Sequence, residues 1–163
     1  MIRGYFSKFV LTALCVATLV LGTSAQMPNP CGAPITLEQA KKVAAPAMAE
    51  AAKNNWNMAV AIVDSSGNLV YYEKMDATQL GSANLAIEKA RSAALFKRPT
   101  KTFQDALAGG GDGLRVLKVP GGVPIEGGLP ILVEGKIAGA IGVSGGMSSQ
   151  DGQCAKAGAD AIK

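Results

Sequence analysis

From residue 36 onward the apolar positions form two patterns, one at helical spacing and one of short unbroken runs. Val43, Ala47, Met48 and Ala51 recur at the interval of one helix face. Thr36-Leu37-Glu38-Gln39 just before them has the form of a capping box, in which the Thr36 hydroxyl covers an orphan amide and Gln39 reaches back. A helix is therefore expected to about Asn54, kinked or split by Pro46. Met58–Val63 and Leu69–Met75 are apolar runs on either side of Asp64-Ser65-Ser66-Gly67-Asn68, a turn cluster whose Gly67 supplies a positive φ, and together they predict a hairpin. Ser82 is the expected cap of a second helix reaching Phe96. Its stripe of Ala83, Ala86, Ile87, Ala90, Ala93 and Ala94 suits a close approach to a sheet. Pro99 ends that helix, and Thr102–Leu107 adds a short helical turn.

Beyond residue 108 the pattern changes, because 13 of the 20 glycines lie between Gly109 and Gly146. Gly109-Gly110-Gly111 reads as a flexible tip. Gly121-Gly122-Val123-Pro124-Ile125 is echoed six residues later by Gly127-Gly128-Leu129-Pro130-Ile131. Ile131–Val133, the turn Glu134-Gly135-Lys136 and Ile137–Val143 predict a second hairpin. A last helix starts at Ser148-Ser149-Gln150-Asp151 and runs close to Ile162, with Asp151 at the positive end of its dipole. Strands joined by tight turns are antiparallel, so the order helix, hairpin, helix, glycine-rich segment, hairpin, helix gives one α+β domain with helices covering a sheet.

The segment before this domain has a different character. Arg3 and Lys8 precede an apolar run, Phe9–Leu21, of about a dozen residues, too short for the roughly 20 that span a bilayer. Thr23 and Ala25 then put small residues where a signal peptidase requires them. Residues 1–25 are expected to be a secretory signal cleaved after Ala25, which makes the protein secreted or periplasmic and not membrane-bound after cleavage. Leu14 before Cys15 does not fit a lipobox. Residues 26–35, with three prolines and Cys31, read as an extended arm, and residues 36–163 as the single domain.

Removing the leader takes away Arg3 and Lys8, so the remaining chain carries 14 basic and 12 acidic side chains. The densest basic spot, Lys97-Arg98 with Lys101, reads as a solvated helix end. Without a basic run interleaved with aromatics, nucleic acid is not an expected partner. Cys31 and Cys154 remain in an oxidising compartment, and a disulfide between them is expected in preference to an intermolecular bridge or two free thiols.

The full chain contains no histidine. This excludes a Ser-His-Asp triad, a Cys-His pair, a His-bearing zinc site and a histidine-ligated haem. Ser144 therefore has no imidazole to activate it, and no catalytic residue is assigned. Gly139, Gly142 and Gly145 lie along a strand rather than in a strand-to-helix turn, and Gly135-Lys136 is followed by Ile137 where a P-loop needs Ser or Thr. No nucleotide and no zinc are expected. Ser144-Gly145-Gly146 before the last helix can still offer backbone amides to an anion. Lys89 lies near the apolar edge of its helix. It reads either as a cation facing a pocket or as a stem on apolar surface with its head in water. Glu126, between glycines, is either an exposed loop acid or a carboxylate aimed at a site.

Several segments together resemble a known family. They are Val63-Asp64-x-x-Gly67-x-Leu69-Val70, Met75-Asp76, Lys89-Ala90-x-Ser92-Ala93, Gly128-Leu129-Pro130-Ile131, Gly139-Ala140-Ile141-Gly142-Val143-Ser144-Gly145 and Ala155-x-Ala157-Gly158. In this order they resemble the GlcG/HbpS family, which is related to the C-terminal domain of the cobalamin adenosyltransferase PduO. The resemblance covers about Thr36 to Lys163. It implies a profilin-like fold, an antiparallel sheet of about five strands flanked by helices, and a small homo-oligomer. Several members are haem-binding proteins of the cell exterior, so the resemblance also implies haem as a cofactor. Without histidine the iron would need another ligand, and the candidates are Met75, Tyr72 and Thr102, with Met58, Met147, Tyr71, Thr78 and Lys89 behind them. Three readings stay open at this point. One is an exported haem or tetrapyrrole binder that scavenges or senses. A second is a binder or enzyme for a small organic acid, using Lys89, Glu126, Gly128, Ser144 and Gly145. The third is an oligomeric accessory protein with a protein partner.

Overall fold

A computed structural model of the chain describes residues 29–162. The expected leader, residues 1–25, lies outside them. The elements follow in the order α1 (Leu37–Lys53), β1 (Ala59–Asp64), β2 (Leu69–Lys74), α2 (Leu80–Phe96), α3 (Lys101–Ala108), a 3-10 helix (Gly111–Lys118), β3 (Gly128–Val133), β4 (Lys136–Ser144) and α4 (Ser148–Ala159).

Among the described residues the sheet has four strands, in the order β2-β1-β4-β3 with every pair antiparallel. The sequence-based expectation was about five. What lies beside the start of β4 in place of a fifth strand is the N-terminal arm. Cys31 makes an isolated parallel bridge with Ile137, the Gly32 amide donates to the Ile137 carbonyl at 2.9 Å, and the Ile35 amide donates to Ala138 at 2.9 Å. The arm is thus tied to the sheet, but over too few residues to make a strand.

Alternation along the central strands sorts their side chains into two layers. Val60, Ile62, Ile141 and Val143 face α1 and α4, whose Val43, Ala47, Cys154 and Ala155 complete the larger core cluster. Ala59, Ala61, Val63 and Ala140 face α2 and meet Ala86, Ala90, Ala93 and Ala94. The second layer is built of small residues because α2 lies directly on the sheet: a Cβ on Gly142 would stand 2.0 Å from the Ala86 carbonyl oxygen.

Local signals explain most of the element ends. Thr36 and Gln39 form the capping box that the sequence predicts. The turn Glu134-Gly135 has φ of 50° and 72°, the paired left-handed conformation of a tight hairpin. Two ends differ from expectation, and of the two outcomes expected at Pro46, a kink or a split, the split does not occur. Pro46 does not split α1, because buried Ala40, Val43, Ala44, Ala47 and Ala51 hold both halves of the helix against the same layer. The second helix starts at Leu80, after Gln79 in extended conformation, and Ser82 is a buried position inside it rather than its cap. Gly109–Gly111 leads into the 3-10 helix, which packs on α3 so closely that a Cβ on Gly113 would lie 1.8 Å from the Ala106 carbonyl oxygen.

Candidate functional site

The helix-to-sheet approach that small residues permit carries Lys89 of α2 into the interior. Its side chain has no exposed surface, and neither of the two sequence readings, a pocket cation or a head in water, describes it. The Nζ donates to Asp151 Oδ2 at 2.6 Å and to the Val143 carbonyl at 3.1 Å. Asp151 sits in the first turn of α4 with its side chain 3% exposed, and its Oδ1 accepts from the Gly146 amide at 3.0 Å. Burial pushes the Lys89 ammonium below its ordinary range, opposed by Asp151 and then Glu126. Burial likewise pushes the Asp151 carboxyl up, opposed by Lys89 and by the amides of Gly146 and Gly145.

Four residues singled out from the sequence lie around this pair, with Gly127 beside them. A Cβ on Gly127 would lie 2.9 Å from Lys89 Nζ and 2.8 Å from Asp151 Cβ, so the turn into β3 seals the pair from outside. Next to it the Gly128 amide donates to Thr100 Oγ1 at 2.9 Å while the Thr100 amide donates to the Gly128 carbonyl at 3.0 Å. Glu126 is half-buried, and its carboxylate lies against Gly152 of α4. Ser144 is buried, and its hydroxyl pairs with that of Ser82 at 3.3 Å. Gly145 packs on Met58 and the Asn57 carbonyl. Lys89, Glu126, Gly128, Ser144 and Gly145 are therefore brought together around Asp151, which the sequence reading had assigned only to a helix dipole. The available signal was its place three and four residues before Cys154 and Ala155, on the face of α4 that turns inward.

Open surface lies just outside this centre. A groove of about 540 Å³ runs along the outer edge of β3 between the C-terminal ends of α2 and α4, lined by Leu129, Pro130, Leu132, Ile137 and Ala159 with Lys97 and Lys156 at its sides. It continues past Pro130 and Leu132 into a hollow of about 270 Å³ that reaches Ile162. At the other end, Pro99, Leu129 and Lys156 also line a cavity of about 210 Å³ bounded by Lys101, Glu126, Gly127 and Gly128. Lys156 contacts Asp160 one turn on, at 2.5 Å.

The three leading iron-ligand candidates, Tyr72, Met75 and Thr102, lie apart, although the Met75 amide and the Thr78 hydroxyl both donate to the Met58 carbonyl, at 3.1 and 3.0 Å. Tyr72 is half-buried on edge strand β2, where burial pushes its phenol up, and Met75 follows that strand, half-buried against the larger core. Thr102 is exposed on α3. None of the three lines the groove or the cavities that adjoin it. Met58 is buried, and its carbonyl accepts from the Thr78 hydroxyl at 3.0 Å. Met147 is exposed, and Tyr71 donates its hydroxyl to Glu73 at 2.9 Å. The expected Cys31–Cys154 disulfide is absent: Cys31 is a free, exposed thiol on the arm and Cys154 a free, buried one inside α4. Among the described residues no helix is long and apolar enough to cross a membrane.

Comparison with known proteins adds a family and several relatives. Residues 35–160 match the family model described as haem degrading protein HbpS-like. Protein GlcG of Escherichia coli K12 is 38% identical over 110 residues, covering 68% of this chain and 81% of that one. A double mutant of Streptomyces reticuli HbpS is 29% identical with a TM-score of 0.74, and the alignment covers 90% of this chain and 98% of that one. The PduOC:haem complex is 26% identical with a TM-score of 0.71, covering 80% and 96%.

Proposed function

The chain belongs to the HbpS-like family, and from that premise we propose that it is an exported haem- or tetrapyrrole-binding protein that scavenges or senses its ligand as a homo-oligomer. The observation that carries the reading is the match over residues 35–160 to a family described by its haem chemistry. The shared fold with a protein solved as a haem complex supports it. The basic start, short apolar run and small residues of positions 1–25 support export.

The residues present fit one part of haem and not another. The groove beside β3 offers an apolar wall for the macrocycle, and Lys97 at its side offers a cation for a carboxylate, while Lys156 is paired with Asp160. Its lining holds no imidazole, thiolate, thioether or phenol for the iron. The organic-acid reading has less support in its original form, since Lys89 has no exposed surface and already faces a carboxylate of its own chain.

The test is a haemin titration of residues 26–163 read by absorbance, with Tyr72→Ala and Met75→Ala alongside. A saturable, stoichiometric Soret shift at micromolar or tighter affinity is expected. A weak response that never saturates would reduce haem to surface adsorption and overturn the reading. Loss of the shift in one variant would identify that side chain as the iron ligand.

A further inference from the structure

We propose that the groove along β3 is the tetrapyrrole site and that it holds its ligand by the periphery, with Lys97 taking a propionate, so that binding does not depend on the iron. This rests on the haem reading above and assigns it a place and a mode.

The size and chemistry of the groove suit an apolar ligand that carries a carboxylate at its periphery. With the hollow that continues it, the volume lies in the range of small-molecule sites, roughly 300–1,000 Å³. Leu129, Pro130, Leu132, Ile137 and Ala159 supply apolar surface on the sheet edge and α4. Pro130 has no amide to donate, which leaves a gap in the hydrogen-bonding edge that another strand would use. A planar ring lying against this edge needs no backbone donor there.

Lys97 is the residue that gives the groove its charge. Lys156 shares its ammonium with Asp160, and that contact neutralises the one carboxylate in the lining. Lys97 makes no ion pair among the described residues. It is also held in a conformation a lysine does not favour. At the C-terminus of α2 it has φ 54° and ψ 38°, in the left-handed region, with its amide donating to the Ala93 carbonyl. Glycine is the usual residue at such a helix end because it takes this conformation without a Cβ penalty. What singles out Lys97 is its place: it borders an apolar groove and makes no ion pair with a carboxylate among the described residues.

Lys97→Gly separates binding from folding, because relieving the backbone and removing the cation act in opposite directions. Haemin and metal-free protoporphyrin IX are titrated into the wild-type chain and the variant, by absorbance and by fluorescence, with melting temperature and solution mass measured for both. Both porphyrins are expected to bind the wild type with the same affinity. In Lys97→Gly both should weaken roughly tenfold or more, as for loss of a charge-assisted hydrogen bond, while the melting temperature stays level or rises. Haemin binding without protoporphyrin binding would overturn the inference in favour of iron ligation and leave the haem reading standing. Unchanged affinity in the variant would move the site elsewhere, with the same consequence. A change of oligomeric mass in place of affinity would make the groove an interface between copies, and it too overturns the inference alone. If neither porphyrin binds the wild type, the haem reading itself fails and this inference fails with it.

Discussion

Lys89 is the largest fully buried side chain among the described residues, and it can be there only because Asp151 meets it. An ammonium moved from water into a packed core costs several kcal/mol unless a partner and hydrogen bonds replace its solvation. Asp151 supplies the partner, the Val143 carbonyl the extra bond, and the Gly146 amide the compensation on the carboxylate side. The value of the pair is therefore conditional, high when one half is missing and low when both are. Asp151→Asn keeps an oxygen for the Gly146 amide but leaves a buried charge, and it should lower the unfolding free energy by about 3–5 kcal/mol. Adding Lys89→Met to that variant removes the orphaned charge and should recover a large part of the loss, measured by urea unfolding as a double-mutant cycle. If the double variant is as unstable as the sum of the two single ones, the pair is not what stabilises this centre. The sequence revealed half of the arrangement. Lysine on an apolar helix edge was legible, but its partner is 62 residues away in the chain and no local spacing connects them.

At the scale of elements, the contact between α2 and the sheet leaves no room for an added side-chain atom. A Cβ on Gly142 would meet the Ala86 carbonyl oxygen at 2.0 Å and the Ala90 amide nitrogen at 2.5 Å, and one on Gly128 would meet the Lys89 carbonyl oxygen at 2.4 Å. Backbone atoms cannot rotate away as a side-chain end can, so Gly142→Ala has to push the helix off β4. Overpacking costs typically about 1–3 kcal/mol, and this case belongs at or above the top of that range. Thr36→Ala, which removes only the α1 cap, should cost about 1 kcal/mol. Urea midpoints of the two variants are expected in that order, and the reverse order would mean that the helix can shift freely. The same contrast explains which elements were legible. The capping box and the Glu134-Gly135 turn depend on residues within four positions of one another, and both were readable. The start of α2 was misread because Ser82 is matched to Ser144 across the layer rather than to the end of its own helix. The 3-10 helix was missed because nothing in Gly111–Lys118 is buried, and its place depends on Gly113 resting against α3.

For the whole molecule the question is what joins the arm to the domain. Two cysteines 123 residues apart made a disulfide the natural expectation, and in the chain-entropy model it would be worth about 4–5 kcal/mol. The structure joins them differently. Cys154 completes the layer between α4 and the sheet as an apolar residue, while the arm is tied to β4 by the backbone bonds of Gly32, Ile35 and Ile137. Composition could count the thiols, but it could not show that one of them faces the core. Burial, helped by the carboxylates of Glu50 and Asp151, raises the Cys154 thiol to about 11. Near pH 8 it is therefore protonated as well as inaccessible, and both conditions suppress alkylation, which needs the thiolate. Cys31 is exposed. Iodoacetamide at that pH, followed by peptide mapping, should label Cys31 in the native protein and Cys154 only after unfolding. The melting temperature of dilute protein should be the same with and without reductant. A midpoint that falls on reduction, with neither thiol labelled beforehand, would show that the chain closes the long loop after all. The arm would then be held by a covalent bond in addition to its hydrogen bonds to β4, and the stability of the domain would depend on the redox state of its surroundings.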